Sequence, residues 1–142
     1  MTSSPACWAA FGEVMAREYA DPALMAVHRL SVDAYAVQHP GGRDDQSVRS
    51  VSFHLARLCL TVAHGLAPAP VDAAMRQVAQ ARTDWLRPPA ERGAITVGHV
   101  RGAPTPEHHA EAAGLWARSA WAAWAVHHPT VLRLIPPGVL AA

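Results

Sequence analysis

At 142 residues, 51% hydrophobic and 16% charged, the chain is of single-domain length and too apolar to be disordered throughout. Its formal net charge of +1 is far from the basic excess that a phosphate backbone demands, so no nucleic acid partner is expected. No apolar run approaches the roughly 20 residues of a bilayer span and no signal-peptide pattern opens the chain, so no membrane partner and a cytoplasmic location are expected.

Residues 1–4 read as a frayed end. Pro5 after Ser4 fits a first helical position, and Trp8, Phe11, Met15 and Tyr19 recur at helical spacing as an apolar stripe. Glu18 falls near that stripe. It is expected either to pair at the helix edge with Arg17 or Arg57, or to face a pocket. Cys7 sits at the start of this helix, where the dipole and free N–H groups favour a thiolate; the alternative is a merely buried thiol.

Asp21-Pro22 is a capping aspartate followed by proline, which predicts a second helix running to about Gln38 or His39 and stopped by Pro40-Gly41-Gly42. This helix carries more polar groups than a core-filling helix needs. At about 100° per residue, Leu24, His28, Tyr35 and His39 share one face. Asp33 lies nearly opposite His28 and is expected to orient a group on another helix, or to cap one.

Asp44 or Asp45 opens a third helix, from about Ser47 to His64, ended by Gly65. Val48, Val51, Leu55, Leu58 and Val62 form its stripe, His54 borders it, and Cys59 reads as a small core residue. A fourth helix is expected from Val71 to about Asp84. Residues 86–105 read as a surface excursion with one extended piece or helical turn, long enough to act as a lid. Thr105-Pro106-Glu107 opens a last helix to about His128, with Trp116, Trp124 and His127 on one face and His128 beside it. Residues 136–142 read as a released tail.

The predicted fold is thus all-α, one domain over residues 1–142: a bundle of four or five helices with a long excursion before the last. All 12 basic residues are arginine, and without lysine no Schiff-base chemistry is available.

A rise of about 1.5 Å per residue tests whether the histidines converge. If the first three helices run antiparallel, His28 and His54 lie about 16 Å and about 12 Å from the level of His39, nearly level with each other. His39 falls at the opposite end, near Cys7. His28, His54 and His127 or His128 are therefore candidate ligands of zinc or another divalent transition metal, since neutral imidazole is the commonest ligand for such ions. No His-Glu-x-x-His, Glu-x-x-His or Cys-x-x-Cys motif supports this. The competing expectation is that buried histidines pair with Asp33, Glu18 or backbone carbonyls.

The phrase from His28-Arg29-Leu30-Ser31-Val32-Asp33 through Tyr35 to Gln38-His39-Pro40-Gly41 resembles a bacterial, largely actinobacterial family known as a domain of unknown function. Cys7-Trp8, Phe11-Gly12-Glu13, Arg17-Glu18-Tyr19, Ser47-Val48, His54-Leu55 and Trp121 to His127-His128 extend the resemblance over most of the chain. The family implies no reaction.

The leading expectation is a small metal-dependent enzyme acting on a small molecule. Tyr35 or Asp33 would handle a proton or orient an imidazole, and Glu18, His39, Trp116 and Trp124 would line the substrate pocket. A second expectation is thiol chemistry, sulfur or acyl transfer, with Cys7 as nucleophile activated by the helix end and His39. A third is a non-catalytic binding or accessory protein for a small molecule or partner helix. Homodimer formation is left open.

Overall fold

The computed structural model describes residues 4–140, so expectations for residues 1–3 and 141–142 lie outside the described residues. Ser4 itself is ordered as a cap: its Oγ accepts from the Cys7 N–H at 3.1 Å and starts α1, Pro5–Ala20. The buried face of α1 is Ala10, Val14 and Glu18, while Trp8 and Tyr19 are 58% and 68% exposed. The expected stripe is therefore rotated. Large side chains mark apolarity, but the small Ala10 and Val14 are what let other elements approach closely, and α1 packs chiefly on α5, Val97–Arg101.

Asp21 caps as expected, its carboxylate accepting from the Ala23 N–H at 3.0 Å. The element it opens is a 3₁₀ segment, Pro22–Val27, and α2 follows as His28–Gln38. The two helix types share cap and proline signals, so the sequence pattern does not separate them. Asp44 caps α3, Asp45–Leu58, which continues as a π turn over Cys59–Ala63, with the Thr61 hydroxyl donating to the Arg57 carbonyl. Gly65, at φ +60°, ends it in the left-handed conformation that glycine adopts without strain.

Helix α4, Pro68–Val78, starts three residues before its predicted position, because prolines in a first turn lose no hydrogen bond. Thr105 caps α6, Pro106–Ala123, by accepting from the His108 N–H. Instead of running to His128, the chain passes through a 3₁₀ turn, Ala125–His127, into α7, His128–Leu134. Pro129 sits in the first turn of α7, so the residue expected to stop one helix begins another. The fold is all-α, with no strand among the described residues. Among the described residues seven α-helices stand against the four or five predicted, the additional ones being the short α5 and α7.

Helix α2 packs against α6 and α3, and α4 covers α3. The core centres on Tyr35, Leu55, Leu58, Leu60, Trp116 and Trp124, all under 2% exposed. Trp116 and Trp124 are thus core residues and not walls of a substrate pocket. Their indole N–H groups donate to Gln38 Oε1 at 2.7 Å and the Val37 carbonyl at 3.1 Å, which makes complete burial affordable in hydrogen-bond terms. The tail also differs from expectation: Val139 and Leu140 pack against the core.

The excursion is held in place around residues 92–95. Gln38 Nε2 donates to the carbonyls of Arg92 and Ile95 at 2.9 and 2.8 Å, and Arg92 donates back to the Gln38 carbonyl at 3.1 Å. Gly93, at φ +106°, passes so near α6 that a Cβ would lie 2.6 Å from Ser119 Oγ. These contacts tie those residues to α2 and α6.

Candidate functional site

Three groups of polar side chains are built around α2. The first is centred on Glu18 of α1, which is fully buried. Its carboxylate accepts from His28 Nδ1 at 2.9 Å, the Ser31 hydroxyl at 2.5 Å and His109 Nε2 at 2.9 Å. Neither Arg17 nor Arg57 is its partner. Arg17 instead caps α5, donating to the carbonyls of Val100 (3.1 Å) and Arg101. His109 entered no sequence-based site: it shares a helix face with Trp116, and nothing local marks its link to Glu18, 91 residues away.

The second group is centred on Asp33, two residues beyond Ser31 and so about 200° around the helix. Asp33 is also fully buried. Arg57 grips both its oxygens, through Nε at 3.1 and 2.9 Å and through a terminal nitrogen at 2.7 Å. His54 Nδ1 donates to Asp33 at 2.6 Å. A carboxylate on Nδ1 selects the tautomer whose lone pair is on Nε2. Asp33 therefore orients an imidazole on another helix, the role its angular position suggested.

These two groups explain why the expected metal site is not assembled. Glu18 holds His28 and Asp33 holds His54, each through Nδ1, on opposite sides of α2, so their remaining Nε2 atoms are not brought together. His127 Nε2 donates to the Arg87 carbonyl at 2.8 Å. His128 Nε2 donates to the Trp121 carbonyl at 2.9 Å, with its ring stacked on Trp121 at 3.7 Å. Among the described residues, no three His, Cys, Asp or Glu side chains are grouped to share a metal ion. Equal levels along neighbouring helices do not suffice when the side chains leave the axis in opposite directions.

The third group lies at the C-terminal end of α2. Phe11, Tyr35 and His39 form a stack, with centroid separations of 4.0 Å at both steps and interplanar angles of 13° and 26°. Tyr35 is buried in this sandwich. Its carbonyl accepts from His39 Nδ1 at 2.9 Å. A carbonyl cannot donate, so Nδ1 carries the proton and Nε2 keeps its lone pair. Tyr35 thus orients His39 through its ring and its backbone.

His39 opens on a cleft of about 460 Å³ between the start of α1, the end of α2, the excursion and α5, within the size range of small-molecule sites. Helix α1 contributes Cys7 and Ala10 to its lining, α2 contributes His39 and Gln38, and the far wall holds Arg92, Val97 and Arg101. The predicted proximity of Cys7 and His39 is observed, since both line this one cleft. They make no direct hydrogen bond, so a bound molecule would have to link them. The arginines were missed because the excursion carries no periodic pattern; its length alone marked it.

The two thiols have different surroundings. Cys59 is 1% exposed, and burial pushes its thiol up to about 11. Cys7 is half-buried at the cleft. Among the described residues, no helix is long and apolar enough to cross a membrane.

No curated protein and no solved structure matches the chain. The model of the family of unknown function DUF5946 matches residues 1–125, most of the chain and all three polar groups around α2, and the protein belongs to that family.

Proposed function

We propose that the protein binds a small molecule in the cleft at the end of α2 and transfers an acyl group through Cys7. The observation that carries this reading is the shared lining: a half-buried thiol and an imidazole with its lone pair fixed on Nε2 open on one cavity of about 460 Å³. The thiol attacks the acyl carbonyl of the bound substrate, forming a thioester and expelling the leaving group. His39 Nε2 takes the thiol proton, relayed through the bound molecule because the two side chains make no direct hydrogen bond, and returns it to that leaving group. An acceptor hydroxyl then attacks the thioester carbonyl, gives its proton to His39 Nε2 and takes the acyl group. The Cys7 sulfur is released, and that proton restores it to the thiol. Gln38 has no chemical role in this scheme, because its amide is spent on Arg92, Ile95 and Trp116.

The non-catalytic binding reading is supported by a different observation, the missing hydrogen bond between Cys7 and His39. A metal-dependent reading would need ligands that converge, and among the described residues no three His, Cys, Asp or Glu side chains are grouped to do so.

One experiment separates acyl transfer from binding alone. The protein is mixed with p-nitrophenyl acetate, release of p-nitrophenolate is followed, and the acetyl group is located by peptide mass spectrometry. Acyl transfer requires the acetyl on Cys7 and its formation roughly tenfold or more slower in His39→Gln. Acetylation of Cys7 at the same rate in both proteins would leave the binding reading alone. Acetylation only elsewhere would sink the role of Cys7.

A further inference from the structure

We infer that the ligand of this cleft is an organic anion with a short apolar body, its negative group held by Arg101 and Arg92. This inference rests on the cleft being a ligand site. The lining contains two arginines and no aspartate or glutamate, so the cavity carries positive charge that its own walls do not neutralise.

Arg92 is the more telling of the two. It is half-buried, and its hydrogen bonds go to neutral acceptors: Nε to the Pro89 carbonyl at 2.8 Å and a terminal nitrogen to the Gln38 carbonyl at 3.1 Å. Among the described residues it forms no ion pair. A guanidinium withdrawn from water with no counter-charge is costly, and an entering anion offsets that cost. Arg101, also in the lining, has among the described residues one long ion pair, Nε to Glu13 at 3.7 Å, between half-exposed side chains. A planar carboxylate, taken by a guanidinium in a bidentate pair, is the better partner. The lining also includes Ala10 and Val97, both buried, which suits a hydrocarbon body.

The test uses octanoate and octan-1-ol, which share a chain and differ in charge, as protectants of Cys7 against N-ethylmaleimide, a neutral thiol reagent. Octanoate should slow labelling at lower concentration than octan-1-ol. Arg101→Gln should raise the protecting octanoate concentration about five- to tenfold. Glu13→Gln removes the competing carboxylate and should lower it. Neither variant should move octan-1-ol protection, which guards against trivial misfolding. Equal protection by acid and alcohol, with both variants silent, would overturn the anion assignment while leaving the cleft a ligand site. Labelling of Cys7 that neither compound slows would overturn the cleft as a ligand site and this inference with it.

Discussion

The two halves of α2 use polar residues for opposite ends. In the first half, Ser31 and Asp33 are fully buried, and each side chain finds its partners within the protein. At the C-terminal end, His39 spends one nitrogen on the Tyr35 carbonyl and leaves the other beside a cleft. A polar group whose partners are all internal stabilises the fold. One held rigidly with an atom unspent is available for chemistry. Burial alone does not separate these two kinds, and neither does an unspent atom alone: the unpartnered Nδ1 of His109 is buried in the interior, whereas His39 lines a cleft.

The contrast predicts a ranking of substitutions. Glu18→Ala should be most damaging, because it strands His28, Ser31 and His109 at once in the interior. A loss of about 3–5 kcal/mol in unfolding free energy, measured by urea denaturation, is expected. A loss under about 1 kcal/mol would mean that the first half of α2 is not held as described. The two cysteines extend the comparison to pH. Burial raises the folded thiol of Cys59 from 9.0 to about 11, so the folded state holds its proton longer than the unfolded chain does. That contribution to stability is present in full below pH 9.0 and is lost as pH rises toward about 11. Denaturation midpoints should therefore fall more steeply across this window in the parent protein than in Cys59→Ala. Smallest is Cys7→Ser, expected to change stability by no more than about 0.5 kcal/mol, because the thiol is half-buried at a cleft and makes no hydrogen bond.

The caps were the most legible part of the sequence. Asp21, Asp44 and Thr105 all cap the elements that their positions predicted, because capping depends on three or four consecutive residues, whereas Ser4, expected in a frayed end, proves to be a cap as well. The burial of Glu18 was not legible, since two of its partners lie 13 and 91 residues away. The stripe on α1 misled because aromatic size was read as burial, whereas Trp8 remains 58% exposed and Ala10 and Val14 make the close contact. Cys7 and His39 were placed together by counting helical rise, which works for elements joined by short connections. Arg92 and Arg101 come from the excursion and α5, where no periodicity sets a face, so their place in the wall followed only from the fold.

Imidazole ¹⁵N–¹H correlation spectra in mildly alkaline solution test the division within α2 most directly, because they report which ring nitrogen carries the proton. His39 should appear as the Nδ1–H tautomer, with an unprotonated Nε2. The reverse tautomer, with the proton on Nε2 and Nδ1 bare, would contradict the hydrogen bond to Tyr35 and leave the cleft without a positioned base.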